Sequence, residues 1–238
     1  MKKIAIVTGC AKGIGKEIAL ELARNCYDII GTYNESEREI KKLKEKIESL
    51  GAKFIYYNMN LLIDDDIDSF CDYVKSNFTK IDLLINNAAL SIDNDFEYKT
   101  SSEFMNVLKV NLVGPFSLSQ KLYPIMRNGA IINIASTDGI DTYGKLNVDY
   151  SASKAGLINL TKSLALILDN IKVYAICPNW VKTESIINMN QDYLRDELKR
   201  IGQKKLIEPK TIALKIIEIL NSDCSSGSII KVDDGYER

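Results

Sequence analysis

Short, nearly continuous apolar runs alternate along the chain with stretches whose apolar residues return every three to four positions. Ile4–Thr8 predicts a first strand, followed by a glycine-rich turn and a helix carrying Ile14, Ile18 and Leu22. Tyr27–Thr32 predicts the second strand. Ser36-Glu37-Arg38-Glu39 then has the spacing of a capping box, and Ile40, Leu43, Ile47 and Leu50 form one buried stripe that Gly51 is placed to end. Lys53–Tyr57 and Ile81–Asn86 predict strands flanking a helix over Asp66–Phe78. Ser102–Met126 predicts a long helix disturbed near Gly114-Pro115, because proline cannot donate the expected hydrogen bond. Ala130–Ala135, Lys172–Cys177 and Ser228–Val232 complete the strands. The remaining helices are Tyr150–Leu168 and Pro209–Leu220.

Strands that are apolar on both faces, each followed by a helix, predict a parallel sheet covered on both sides. The expected fold is α/β, a doubly wound sheet of about seven parallel strands, with residues 1–238 forming one Rossmann-type catalytic domain. The charge run Glu35–Glu48 reads as a solvated helix face. Glu184–Lys205 stands apart as polar, weakly helical and placed where a lid over a substrate could lie.

Composition removes several alternatives. The 238 residues carry 31 basic and 32 acidic side chains, a net charge of −1, so no basic field recommends a nucleic-acid partner. There is no histidine, which excludes a Ser-His-Asp triad, a His-ligated metal and a His general base. Acid–base work falls to Tyr, Lys, Asp, Glu or Cys. The five cysteines, Cys10, Cys26, Cys71, Cys177 and Cys224, form no CxxC pair and read as reduced, mostly buried thiols. The apolar run at the start stops at Thr8-Gly9, too short for a signal peptide core, and no run reaches membrane-spanning length. The expectation is a cytoplasmic protein without a membrane partner.

Two motifs carry chemistry. Thr8-Gly9-Cys10-Ala11-Lys12-Gly13-Ile14-Gly15 lies between a strand and a helix, the context in which glycines serve a phosphate. Gly9 permits the turn, Gly13 permits close approach of backbone to phosphate, and Gly15 lets the helix pack near the sheet. The helix start supplies free amides and the positive end of its dipole. Its Gly-x3-Gly-x-Gly spacing differs from GxGxxG, and a tight structural turn is the alternative. In Tyr150-Ser151-Ala152-Ser153-Lys154, tyrosine and lysine share a helix face. Free tyrosine titrates near pH 10, about 10 being the reference value. A neighbouring ammonium lowers that figure and makes the phenol a usable acid or base. Alone, such a pair is as readily a surface ion partner.

Taken together and in order, these pieces resemble the short-chain dehydrogenase/reductases over nearly the whole chain. Thr8–Gly15, Asn86-Asn87-Ala88-Ala89, Asn111, Ser136 after Ile131–Ala135, Tyr150–Lys154, Pro178 to Thr183 and the terminal Gly227–Asp233 all match the family's order. Among its members the 3-oxoacyl-(acyl carrier protein) reductases are the most similar.

The resemblance implies hydride transfer between NADP(H) and a small carbonyl or alcohol substrate. Tyr150 would be the acid/base, Lys154 would tune it and hold the nicotinamide ribose, Ser136 would bond the substrate oxygen, and Asn111 would kink its helix and hold a relay water. Ser136 merely ending a strand and Asn111 merely capping a helix are the alternatives. Thr8, Gly9, Ala11, Lys12, Gly13, Ile14 and Gly15 would wrap the pyrophosphate. Asn60 and Leu61 would meet the adenine, and Asn87, Ala88 and Ala89 the adenosine side. Pro178, Asn179, Val181 and Thr183 would border the nicotinamide.

Tyr33 and Asn34 stand where an acid would select NAD, and Lys12 where NADP-preferring relatives carry a base. NADP(H) is therefore expected over NAD(H), with Glu35 weighing against it. The Ser136–Tyr150 interval is one residue longer than is common in the family. Asn179 replaces a glycine, and Leu166–Lys172 is short and lacks a basic residue, which puts docking of an acidic carrier protein in doubt. Relatives form homotetramers or homodimers through the two long helices. The readings from other classes are a catalytically silent nucleotide sensor and a Rossmann methyltransferase; the sensor class commonly loses part of the Ser-Tyr-Lys set kept here, and the methyltransferase would not need Tyr-x3-Lys.

Overall fold

The computed structural model describes residues 2–233. Seven strands form one parallel sheet in the order β3-β2-β1-β4-β5-β6-β7. They are β1 (Lys3–Val7), β2 (Tyr27–Tyr33), β3 (Phe54–Asn58), β4 (Leu83–Asn86), β5 (Ala130–Ile134), β6 (Lys172–Pro178) and β7 (Ile229–Val232). The helices are α1 (Gly13–Arg24), α2 (Glu37–Ser49), α3 (Asp64–Asn77), α4 (Ser101–Leu108), α5 (Gly114–Leu122), α6 (Val148–Ile167), α7 (Glu184–Ile187), α8 (Gln191–Ile201) and α9 (Pro209–Leu220).

Both faces of the sheet are buried because its strands alternate between two apolar layers. Ala5, Val7, Leu83, Ile85, Ile132 and Ile134 face α1, α2 and α9, where Ile18, Leu22, Ile40, Leu43, Ile212 and Ile216 meet them. Ile6, Leu84, Ile131 and Val173 face the opposite side, against Ile67, Phe70 and Val74 of α3 and Leu118 and Leu122 of α5. Each wholly buried side chain of this size contributes roughly 1.5–3 kcal/mol. Strand order reverses between β1 and β4. The loops leaving their C-terminal ends diverge there, and that divergence opens a crevice.

Several local expectations are corrected. Ser36 makes no capping bond to α2: its backbone (φ −92°, ψ 56°) lacks the extended geometry that aims a hydroxyl at the first-turn amides. The same residue pattern succeeds at Thr100, whose extended backbone (ψ 153°) forms a capping box with Glu103. Leu50 is exposed rather than part of the stripe. The long helix is interrupted at Lys109–Val113, earlier than Gly114, by a wider π turn. Pro115 has no N–H to offer the Asn111 carbonyl four residues before it, so the regular ladder gives way one turn ahead of the proline. Helix α6 starts at Val148, two residues before Tyr150. The segment 184–205 is more helical than expected: Asn190 caps α8 through Asp192 and Tyr193 amides, and Gly202 ends it in a left-handed conformation. No helix among the described residues is long and apolar enough to cross a membrane.

One buried ion pair fastens the loop after β4 to the start of α6. Lys99 Nζ lies 3.0 Å from Asp149 Oδ2 and also donates to the Ile92 carbonyl, while Asp149 Oδ1 accepts from the Tyr150 amide at 2.9 Å. Both side chains are almost wholly buried. Lys99→Met leaves the Asp149 carboxylate unpaired and is expected to cost about 3–5 kcal/mol. Urea unfolding measures the loss, and the double variant Lys99→Met with Asp149→Asn is expected to recover part of it.

Candidate active site

The crevice at the C-terminal ends of β1 and β4 is a cleft of about 860 Å³, within the range that holds cofactors and small ligands. Its two banks are sewn together behind the surface. The Thr8 hydroxyl accepts from the amides of Asn87 (2.9 Å) and Ala88 (3.0 Å) and donates to the Ile85 carbonyl. In return Asn87 Nδ2 donates to the carbonyls of Thr8 and Gly9. A Cβ on Gly9 (φ +62°) would lie 2.9 Å from Ala88 Cα, and one on Gly15 would lie 2.6 Å from the Gly9 carbonyl oxygen. Thr8 and Gly15 therefore do not line the cleft as expected; they fix its walls from behind.

Of the other residues singled out from the sequence, Gly9, Ala11, Lys12, Gly13 and Ile14 form one wall, Tyr33, Asn34, Asn60 and Leu61 one end, and Asn87, Ala88 and Ala89 the facing bank. Pro178, Asn179, Val181 and Thr183 close the side toward β6. The first turn of α1 holds no acidic residue, and Lys12 at its start forms no side-chain cap, so its leading amides stay available to an anion. Cys10 turns the other way, into the core, where burial pushes its thiol up to about 12. Asn60 spends its Oδ1 on the amide of Leu62, leaving Nδ2 as the group it can offer.

Deeper in the cleft, Tyr150 and Lys154 lie one turn apart on α6, with Lys154 Nζ 5.3 Å from the phenol ring centre. Lys154 is fully enclosed and donates to the Ile134 carbonyl at 2.7 Å. Burial lowers its pKa from 10.5 to about 8, opposed by the nearby Cys177 and Asp138. The phenol of Tyr150 is pushed well above its ordinary range, first by burial and then by the charge of Asp138, while a hydrogen bond from Ser136 acts the other way. The expectation of a lowered phenol thus reverses in the chain by itself, because enclosure and a carboxylate outweigh the ammonium. Ser136 Oγ accepts the Asp138 amide at 3.1 Å, which holds the hydroxyl at the cleft and leaves its proton for the Tyr150 oxygen or for a substrate oxygen beside it. Asn111 lies behind the wall: its side chain brackets the Leu90 backbone (2.7 and 2.9 Å) and donates to Ser153 Oγ at 3.0 Å.

Sequence reasoning missed Asp93, Asp138, Trp180, Ile186 and Met189, all of which line the cleft. Ile186 of α7 and Met189 belong to the segment expected to lie over a substrate, and Asp93 to the loop after β4. Asp138 carried a readable sign, a carboxylate two residues after the strand-end serine. With phenol, serine hydroxyl and buried ammonium converging beside a wall of free amides, the site can donate a proton to an oxygen next to a bound nucleotide.

Residues 3–194 match the family described as short chain dehydrogenase. The chain belongs to that family and is an NAD(P)-dependent oxidoreductase acting on small carbonyl or alcohol substrates. It is 34% identical to the 3-oxoacyl-(acyl-carrier-protein) reductase of Staphylococcus epidermidis over 99% of both chains. Identity to the reductase of the same name from Thermotoga maritima is 33%, over 98% of this chain and 97% of that one. Among solved structures, a short chain dehydrogenase from Burkholderia cenocepacia in complex with NADP superposes with a TM-score of 0.90 at 25% identity, covering 98% of this chain and 97% of that one. A dehydrogenase/reductase from Sinorhizobium meliloti gives 0.91 at 26%, covering 99% and 95%.

Burial of Lys154 sets a dependence of stability on pH. The unfolded lysine stays protonated up to about 10.5, whereas the folded one releases its proton near 8. Between those values the unfolded chain binds more protons, so stability rises with pH. Relative to Lys154→Met, which cannot titrate, the native protein is expected to gain up to about 1.4 kcal/mol per pH unit across that window. Urea midpoints of both proteins from pH 7 to pH 10.5 give the slope; a constant difference would remove the assignment.

Proposed function

We propose that this protein is an NADPH-dependent carbonyl reductase in which residues 1–238 act as one catalytic domain and Ser136, Tyr150, Lys154 and Asn111 carry the chemistry. The observation that carries this reading is the convergence of Ser136, Tyr150 and Lys154 on one cleft that the start of α1 also lines. A nicotinamide dinucleotide fits the residues present. Asn179 Nδ2 is buried, lines the cleft and has no hydrogen-bond partner, which suits the carboxamide of a nicotinamide ring. A Cβ on Gly13 (φ +58°) would crowd the Thr183 methyl at 3.3 Å, so glycine keeps the phosphate wall open.

When bound, the dinucleotide supplies a hydride to the carbonyl carbon. Ser136 holds the carbonyl oxygen through its hydroxyl proton, and Tyr150 gives its phenolic proton to that oxygen. The raised phenol pKa keeps that proton in place before the reaction, which favours reduction. Lys154 then stabilises the phenolate left behind. Asn111 positions the assembly by tying α4 and α5 to Leu90 and to Ser153, whose Oγ also bonds the Tyr150 carbonyl at 2.7 Å.

Preference for NADPH is supported by the far end of the cleft. Ser36 lines it, and its hydroxyl caps no amide of α2, so it can donate to a 2′-phosphate. Lys12 is beside it and enters no ion pair among the described residues, while the residue at the end of β2 is the neutral Tyr33. A 3-oxoacyl-thioester-type or other small ketone is the substrate class suggested by the relatives' names. Assembly into dimers or tetramers is supported by Met105, Val113, Phe116, Leu166 and Ile167, exposed apolar residues on the α4–α5 segment and on α6.

Tyr150→Phe is expected to lower kcat at least a thousand-fold while NADPH binding, followed by fluorescence titration, stays within about three-fold. Near-normal turnover would refute the role. Kinetics with both cofactors should favour NADPH by at least about ten-fold in kcat/KM, and Lys12→Ala should reduce that ratio. A large preference for NADH overturns the cofactor reading.

A further inference from the structure

Behind the wall that closes the cleft toward β6, one buried side chain holds two segments together. Asn179 and Trp180 line the cleft. Gln203 follows α8 by two residues and is almost wholly enclosed. Its Oε1 accepts the Trp180 amide at 3.1 Å, and its Nε2 donates to the carbonyls of Trp180 at 2.9 Å and Lys205 at 2.8 Å. The carboxamide thus brackets one residue of the wall with both of its polar ends in use.

The bracket reaches the cleft through Asn179. The Trp180 amide is shared between Gln203 Oε1 and Asn179 Oδ1, the latter also at 3.1 Å. With Oδ1 engaged in this way, Asn179 has Nδ2 left to offer, and that group is buried without a partner. A buried donor left unpaired costs free energy that a ligand accepting from it recovers. The Asn179 backbone amide donates to the Val232 carbonyl at 3.1 Å, which ties this side of the wall to β7. Further along, the wall is sewn to the chain after α8 a second time: Lys182 donates to the Ile207 carbonyl, and Ile207 to the Trp180 carbonyl. Gly202, in a left-handed conformation (φ +74°), turns the chain from α8 into this seam.

We infer that Gln203 is a positioning residue for the nicotinamide end of the cofactor: it holds the Trp180 peptide so that the Asn179 side chain keeps its free amide at the cleft, and it makes the end of α8 part of that wall. The inference rests on the dinucleotide reading above and goes beyond it, since Gln203 stands behind the wall and acts through its neighbours. A hydrogen bond from Asn179 to the ring carboxamide then depends on α8 being docked. A ligand without the ring makes no use of the bracket.

The test is calorimetric titration of the native protein and of Gln203→Met with NADPH and with adenosine 2′,5′-bisphosphate, which has the adenosine end but no ring. Methionine keeps the length of the side chain. Trp180 retains Asn179 Oδ1 for its amide and the Ile207 amide for its carbonyl, so neither group is orphaned by the change. The dissociation constant for NADPH is expected to rise about five- to ten-fold, the size of one buried hydrogen bond, while that for the bisphosphate stays within about two-fold. Asn179→Ala should show the same split, and the double variant should be no weaker than Asn179→Ala alone, because the two residues act in series. Equal weakening of both ligands, losses that add in the double variant, or unchanged NADPH binding removes Gln203 from the role. Hydrogen exchange on the native protein decides the matter even if Gln203→Met does not fold. Saturating NADPH should slow exchange at the amides of Gly202 and Gln203, which close the end of α8, more than saturating bisphosphate does; equal protection overturns the link. Failure of the native protein to bind NADPH overturns the cofactor reading together with this one.

Discussion

The site depends on a single seam, the reciprocal hydrogen bonding between Thr8 and Asn87 across the point where strand order reverses. A doubly wound sheet opens a crevice there, but an opening between two mobile loops would not hold reacting atoms in register. The Thr8 hydroxyl accepts from two amides of the loop after β4 and its carbonyl accepts from the Asn87 side chain of that same loop, while Gly9 and Gly15 remove the side chains that would force the two banks apart. The leading amides of α1 and the bank at Asn87–Ala89 then face each other at a set width. Pre-set geometry of this kind is what lets binding energy go into orientation rather than into ordering the loops.

Burial governs the chemistry on the opposite side. The enclosure that lowers Lys154 to about 8 also raises the phenol of Tyr150, so the two groups move apart on the pH scale. A phenol beside a lysine on an exposed helix would have neither shift. The neighbouring Cys177 and Asp138 oppose the fall that burial imposes on the Lys154 ammonium, which donates to the Ile134 carbonyl. Proton transfer from Tyr150 converts a strained neutral acid into a phenolate with a cation within reach, which shares the cost of enclosing both groups between the two protonation states.

The sheet was legible because its strands are apolar on both faces and its helices carry single stripes, patterns set by backbone periodicity alone. Most cleft residues were legible because they sit at strand ends in a recognisable order. What could not be read depended on backbone angles or on contacts distant in sequence. Ser36 and Thr100 carry equivalent patterns, yet only Thr100 has the extended conformation that closes a capping box. The break in the long helix was attributed to Gly114-Pro115, whereas the missing proline donor is felt one turn earlier, at Asn111. Thr8 and Gly15 were placed against the cofactor from their motif, but a motif does not show which side of a turn faces the cleft. The direction of the Tyr150 shift was missed for a similar reason. The lysine is adjacent on the helix and visible, while the enclosure and Asp138 arrive through the fold.

Asp138 shows how the lid region enters the same electrostatics. Helix α8 buries Glu197 and Leu194 on its inner face, and Arg200 joins that helix to the loop at Tyr143, so the segment closing the substrate end is held by an ion pair that consumes its own cation. Burial raises the Asp138 carboxyl, and the Thr142 hydroxyl and the charge of Arg200 offset part of that rise. Glu197 is nearly wholly buried and takes the guanidinium through both of its oxygens, while the Asp138 carboxylate accepts the Thr142 hydroxyl. Retaining a carboxylate beside the phenol works against releasing the phenolic proton before the reaction. The fold thus keeps the proton on Tyr150 until the reaction draws it off, with Lys154 placed to meet the charge left behind.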